Sequence, residues 1–403
     1  MNKLNKKKII NDPIYGFINI PNDLIFDIIE HKYFQRLRNI KQLGLTYLVY
    51  PSAVHTRFQH ALGCMHLVSL AIEVLKSKDI EITDEEAQGV TIAAMLHDIG
   101  HGPFSHCLEN NIINIKHESL SEKYMEELNR VFGGALLLAI RIYNNSYEKL
   151  FLHQLVSGQL DVDRLDYLKR DSFFTGVSEG VIGTDRIIKM LNVVNNNLVV
   201  ELKGIYSIEK FIISRRLMFW QVYLHKAVLS AQYMLSQSIK RAKYLYKKGE
   251  KIFLTEYLRY FFENDDYVID SNLLELFSNL DDNDFYICLK YWSMERDIIL
   301  SNLSKGILDR RLYRLELQNE PFSEDYVYDI REKIKNTYNV NEEDIKYIVF
   351  SGEVENSIYN PYMDKINILM KDNKVVDISE ASDQLNLSVL SKMIKKYYLC
   401  YPK

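Results

Sequence analysis

The feature that most limits the fold of this chain is a run of apolar residues at helical spacing that repeatedly stops at histidine, aspartate and glycine. Between Asn22 and Leu43, the positions Leu24, Ile25, Ile28, Ile29, Phe34, Leu37 and Ile40 keep the 3.6-residue period and predict two helices broken near His31. The segment 57–77, RFQHALGCMHLVSLAIEVLKS, repeats the pattern more strongly. Another helix is predicted from Asp84 to about His97, with Thr83 as its cap and the glycines of DIGHGPFSH at 98–106 as its end. Further helical patterns cover 117–131, 134–143, 147–157, 160–170, 184–193, 207–246, 252–263, 284–302 and 324–337. Before them, NDPIYGFINIP at 11–21 reads as a short hairpin or turn. After about residue 340, YIVFSG, INILMK and KVVDIS read as short strands followed by a helix at 386–397. The expected architecture is mostly α: a helical body over 1–335, with core motifs at 11–240, and a small α+β element over 336–403 packed on it.

Composition removes several function classes. With 47% hydrophobic residues over 403 positions, the chain can bury a large core, so global disorder is excluded. A formal net charge of −4 provides no basic field for coating nucleic acid. The local run Lys240, Arg241, Lys243, Lys247 and Lys248 reads more simply as a solvated helix face. Cys64, Cys107, Cys288 and Cys400 lie far apart without a CxxC pair, which points to a reduced, cytoplasmic protein without a cysteine zinc site. Lys3, Lys6, Lys7 and Lys8 are not followed by an apolar stretch, so no signal peptide is expected. No stretch approaches about 18 uninterrupted apolar residues, so no membrane span is expected either.

The chemistry-bearing residues concentrate in the first 40% of the chain: His60, His97, Asp98, His101, His106, His117 and Asp163. A cation that activates water needs neutral imidazoles and carboxylates while keeping a position open. Nitrogen and oxygen donors without thiolate suit one divalent ion of Mn, Mg, Fe, Co or Ni. Each residue has a plainer reading beside this one. His60 could be a packing histidine, His97 and Asp98 a helix C-terminus, and Asp163, Asp166, Tyr167 and Arg170 a salt-bridged helix face. Arg57, three residues before His60, shares its helix face and can grip phosphate or form a surface ion pair.

The order NDPIYG, FQRLRNIKQLG, YPSAVHTRFQHALG, LHDIGHGPFSH, KHES and DVDRLDYLKRD resembles the HD-domain deoxynucleoside triphosphate triphosphohydrolases, the dGTPase-like family that includes the HD core of enzymes carrying a sterile-alpha-motif domain. The likeness covers at least residues 8–240 and implies an HD-domain helical bundle. It implies that His60, His97, Asp98 and Asp163 ligate the metal. It places His101, His106 and His117 around the α-phosphate, with Glu109 or Glu118 orienting one of them, His106 facing the leaving oxygen and His117 acting as base or water-positioning residue. Arg57, Arg164 and Arg215 match phosphate contacts, Arg164 standing in place of a lysine. Gln42 and Asp171 match readers of the sugar 3′-hydroxyl, Leu43 is a further substrate contact, Tyr167 lies against the ribose and Tyr223 near sugar and base. Lys8, Asn11, Glu30, Gln35 and Arg38 match an effector site for a guanine nucleotide such as GTP. Tyr15, Ser52 and Phe219 depart from the family pattern, Phe219 near the expected substrate pocket.

The resemblance therefore implies hydrolysis of a deoxynucleoside triphosphate to deoxynucleoside and inorganic triphosphate, in a homo-oligomer, dimer or tetramer. The residues alone reach only metal-assisted phosphoester hydrolysis. A phosphomonoesterase or phosphodiesterase of another nucleotide, cyclic dinucleotide or alarmone, or a nucleotide sensor without turnover, stays open at this point.

Overall fold

The structure, a computed structural model, describes residues 8–104, 109, 111–356, 365–382 and 394–403. Local signals set most helix boundaries. Asn22 accepts from Ile25 N–H at 3.0 Å to start the helix Asp23–Glu30, and His31 breaks it and caps the short helix Lys32–Gln35. Thr83 and Glu86 exchange side-chain and backbone hydrogen bonds, a capping box at the start of Asp84–Leu96. Thr56 and Gln59 do the same for Arg57–Lys76.

Arg57–Lys76 is the central helix: Leu67, Val68, Ala71 and Leu75 are fully buried. Each large aliphatic side chain so buried stabilises the body by about 1.5–3 kcal/mol. By length and composition this helix could cross a membrane, but most of it is buried inside the protein. Asp84–Leu96 packs along one side of it and Val162–Thr175 along another, while Leu137–Tyr143 covers the far face of Asp84–Leu96. Those contacts bring the ends of three helices together at one point.

Strands are few and short. β1 (Ile9–Asp12) and β2 (Gly16–Asn19) form the N-terminal hairpin. β3 (Leu191–Val194) and β4 (Asn197–Glu201) join β7 (Asn367–Leu369) and β8 (Val375–Asp377) in the order β3-β4-β7-β8, with β4 and β7 parallel. β5 (Arg314–Gln318), β9 (Ile394–Tyr401) and β6 (Phe350–Asn356) form the other sheet, β9 in the middle. Strands from the C-terminal segment thus pair with β4 and β5, and the helix Glu324–Tyr338 runs through the boundary expected at 335.

The structure corrects four expectations. The helix expected at 386–397 is a strand from Ile394 onward, where IKKYYLCY pairs on both sides; 383–393 lie outside the described residues. The helix expected over 184–193 ends at Lys189, because Asn195 and Asn196, both at positive φ, turn LNVVNNNLVVE into the β3–β4 hairpin. The long helix expected over 207–246 is Ile205–Met218 and Lys226–Lys247, separated by a π turn at Phe219–Tyr223 and a cap from His225 to Ala227 N–H. The pattern at 284–302 is two helices, Asp282–Trp292 and Ile298–Leu308, the second capped by Asp297.

Candidate functional site

Where the three helix ends meet, His60, His97, Asp98 and Asp163 converge. His60 Nε2 lies 3.2 Å from Asp163 Oδ1 and 3.9 Å from Asp98 Oδ2, and His97 Nε2 lies 3.3 Å from Asp98 Oδ1 and 3.5 Å from Asp163 Oδ1. Ligands of one ion with bonds of about 2.0–2.2 Å sit about 3 Å apart, so these donors fit a single divalent cation. His97 Nε2 is buried and has no hydrogen-bond partner among the described residues, although two carboxylates face it. Burial alone would raise the Asp163 carboxyl, but the His60 and His97 imidazoles that face it hold it well below the usual carboxylate range. Burial would likewise depress His97, yet Asp98 and Asp163 push it up to about 9. A field that favours protons on these imidazoles favours a cation among them.

The imidazoles are aimed from behind. His97 Nδ1 donates to Ala94 O at 2.8 Å, leaving Nε2 as the lone-pair nitrogen. His60 Nδ1 lies 2.7 Å from Asp166 Oδ2. Asp166 accepts in turn from Arg170 Nε at 2.8 Å, and Arg170 Nη1 reaches Asp12 Oδ2 at 2.8 Å on the N-terminal hairpin. Asp166 and Arg170 are 0% exposed, so the salt-bridged helix face expected at 163–170 is buried at this pair. Gly63 makes the approach workable: a Cβ there would stand 1.9 Å from Asp166 Oδ1. Cys64 lies 3.6 Å from His60 Nε2, but burial pushes its thiol up to about 12, so it packs as a neutral group.

Beside the donors, His101 and His117 stack with ring centroids 3.8 Å apart. Burial and then the Arg57 charge push His101 down to about 3, so it is neutral. Burial also opposes charge on His117, but the hydrogen bond to Glu109, 2.8 Å from Nδ1, raises it above the ordinary histidine value. Glu109 rather than Glu118 is the orienting carboxylate, since Glu118 stands 3.5 Å away with a largely exposed side chain. Arg36, buried, donates to Ile99 O and His101 O at 2.9 Å each and so ties down the turn bearing His101. His106 lies outside the described residues.

These groups open into a cleft of about 780 Å³. Gln42, Leu43, Arg57, Tyr167, Asp171, Arg215 and Tyr223 all line it with Asp98, His101, His117 and Asp163. Arg57 Nη1 holds Asp98 Oδ2 at 2.6 Å, and Arg215 Nη1 holds Gln159 Oε1 at 3.1 Å. Tyr223 Oη donates to Asp171 Oδ2 at 2.7 Å, an aim made by the π turn. Phe219 lines the cleft and supplies no charge there.

Arg164 departs from expectation. It is not among the cleft-lining residues and bonds instead to Gly158 O and the Asp161 carboxylate, a buried helix cap that needs a counter-charge. Lys8, Asn11, Glu30 and Arg38 are exposed on the N-terminal surface, where Arg38 Nε donates to Gln35 Oε1 at 2.8 Å and Gln35 Nε2 to Ile29 O at 2.7 Å. The basic run at 240–248 is largely neutralised: Arg241 pairs with Asp297 and Asp344, and Lys243 and Lys247 with Asp265. Sequence reasoning missed Arg36 and Asp12 and misread Asp166; only the i, i+3 spacing of Asp166 from Asp163 hinted at its place.

The HD domain family matches residues 57–171, and the HD associated region matches 182–260. The uncharacterized protein YwfO of Bacillus subtilis is 30% identical over 100% of this chain and 93% of its own length. The deoxynucleoside triphosphate triphosphohydrolase SAMHD1 homolog of Dictyostelium discoideum is 32% identical, over 61% of this chain and 51% of that protein. The crystal structure of a phosphohydrolase from Bacteroides thetaiotaomicron superposes with a TM-score of 0.95 at 49% identity, covering 99% of this chain and 100% of that one. The domain match falls on the helices that carry the converging donors and the likeness to that phosphohydrolase runs the length of both chains, so the chain belongs to the HD-domain family of metal-dependent phosphohydrolases.

Proposed function

We propose that the substrate is a deoxynucleoside triphosphate, hydrolysed to deoxynucleoside and inorganic triphosphate, with His60, His97, Asp98 and Asp163 holding the metal. The observation that carries this reading is the make-up of the cleft, which brings Asp98, Asp163, the stacked His101 and His117 and Arg57 together with Gln42, Tyr167, Asp171 and Tyr223. Likeness to the Dictyostelium triphosphohydrolase supports the choice of substrate.

When bound, the cation supplies Lewis-acid stabilisation of charge on the phosphoryl oxygens and lowers the pKa of water. Arg57 and Arg215 hold phosphate oxygens by charge-assisted hydrogen bonds, Arg57 exchanging its Asp98 partner for the substrate. Water attacks the α-phosphorus and the bond to the sugar 5′ oxygen breaks. One proton leaves the water and one reaches that oxygen, a task assigned to His117, held by Glu109, and to His106. Gln42 and Asp171 hold the 3′-hydroxyl, and the Tyr167 ring closes the space a 2′-hydroxyl would need. Lys8, Asn11, Glu30, Gln35 and Arg38 form the effector surface for GTP in a homo-oligomer.

Incubating the purified chain with Mn²⁺, Mg²⁺, Fe²⁺, Co²⁺ or Ni²⁺ and a nucleotide panel, with and without GTP, tests these assignments. Inorganic triphosphate is expected, and none from Asp163→Ala. Release of monophosphate or of a linearised dinucleotide would overturn the substrate assignment, and nucleotide binding without turnover would make the chain a sensor.

A further inference from the structure

In the cleft, Asp171 is buried, its side chain 2% exposed, and gripped from both sides. Tyr223 Oη donates to Oδ2 at 2.7 Å, and His55 Nε2 lies 2.8 Å from Oδ1. His55 has no part in the chemistry described above. Its side chain is 0% exposed, it stacks on Phe174 at 4.5 Å, and its Nδ1 is buried without a hydrogen-bond partner among the described residues.

A carboxylate only accepts, so Nε2 of His55 carries the proton. Nδ1 has no hydrogen-bond partner of its own among the described residues, so the bond to Asp171 is the one that sets the ring. The same residue also reaches the other sugar-facing group: Gln42 N–H donates to His55 O at 2.9 Å. Gln42 Oε1 is itself buried without a partner among the described residues and lines the cleft. With both Asp171 oxygens already receiving a hydrogen bond, the carboxylate and Gln42 Oε1 have only lone pairs to offer a group that lies between them.

We infer that His55 is a positioning residue for sugar recognition: its Nε2–H fixes the Asp171 carboxylate and its carbonyl fixes the Gln42 main chain, so that both present acceptors to a hydroxyl of the bound nucleotide. The inference rests on the proposed reading that Gln42 and Asp171 face the sugar. The cleft then discriminates against a nucleotide in which that hydroxyl is missing or esterified, because two buried acceptors lose their donor.

The test compares kcat and KM of the full chain, loaded with Mn²⁺, on deoxynucleoside triphosphates and the matching 2′,3′-dideoxynucleoside triphosphates. His55→Phe keeps the ring stack and removes the donor, and His55→Gln restores an N–H. Wild type should prefer the hydroxyl-bearing substrate. His55→Phe should raise KM for it about tenfold to a hundredfold, change kcat little and abolish the preference, while His55→Gln recovers most of it. A wild type without preference would sink the sugar reading itself. Preference intact in folded His55→Phe would overturn the role of His55 and leave that reading standing. Should His55→Phe not fold, loss of preference in folded His55→Gln overturns the role and its retention supports it. Nitrogen NMR of wild type gives a fold-independent check: the Nε2–H tautomer of His55 is expected, and the Nδ1–H tautomer overturns the inference.

Discussion

Replacing Asp166 by asparagine separates the reach of the metal donors from what holds them. The change is nearly isosteric, but it removes a charge that faces His60 Nδ1 at 2.7 Å and Arg170 Nε at 2.8 Å with no exposure to water. Breaking a buried ion pair from one side costs about 3–5 kcal/mol. Asp12 still faces Arg170 at 2.8 Å and the amide oxygen still accepts, which puts the cost near the lower end, about 3 kcal/mol. Unfolding entropy of about 2.1 cal/mol/K per residue makes roughly 0.8 kcal/mol/K for this chain, so Tm should fall by about 3–4 °C. The amide can also turn its NH₂ towards His60 and favour the wrong tautomer, and loss of such an outer partner weakens metal binding about 10–100-fold. Calorimetric titration of metal-free protein with Mn²⁺, beside thermal melts, reads both quantities. Wild-type Mn²⁺ affinity in a variant that melts lower would refute the orienting role and leave a purely structural one; wild-type values of both would refute the whole line of reasoning.

Two further perturbations probe neighbouring contacts. Gly63→Ala puts a methyl 1.9 Å from Asp166 Oδ1 and 2.6 Å from Arg170 Nη2, so the variant should lose about 1–3 kcal/mol and bind Mn²⁺ more weakly; a wild-type melt would show that the approach is looser than described. Glu109→Gln removes the hydrogen-bonded carboxylate that raises His117, so the His117 titration followed by NMR should move to lower pH, as should the limb of the pH–rate profile that reports it. Because the folded value is raised, the pairing stabilises the protein fully below the ordinary histidine pKa and is lost as pH rises through the folded value. A His117 titration unmoved by the change would show that Glu109 does not set it.

The helical body and its donor residues were legible in the sequence because both depend on short-range rules. Apolar period and caps place Arg57–Lys76 and Asp84–Leu96 from within the segments themselves, as the Thr83–Glu86 box shows. His97 and Asp98 stand out because the glycines after them end the helix at a polar pair. The breaks were harder. The π turn at Phe219–Tyr223 lies inside a pattern that reads as one helix, and its position answers to Asp171, 52 residues away along the chain.

Distance along the chain also decided which charges are chemistry and which are scaffolding. Asp166 and Asp163 look alike in DVDRLDYLKRD, and Arg164 and Arg170 look alike as cations. Packing of Val162–Thr175 against Arg57–Lys76 and the β1–β2 hairpin buries Asp166 and Arg170 behind His60 and leaves Asp163 facing the cleft. Arg164 turns to Asp161 because a buried carboxylate attracts the nearest cation more strongly than an open cleft does. What the sequence determined by itself was the helices up to Leu96 and the donor types, since period, caps and side-chain chemistry are local. Only the tertiary structure decided which donors share a site, because burial and pairing depend on partners that the polypeptide brings together from far apart.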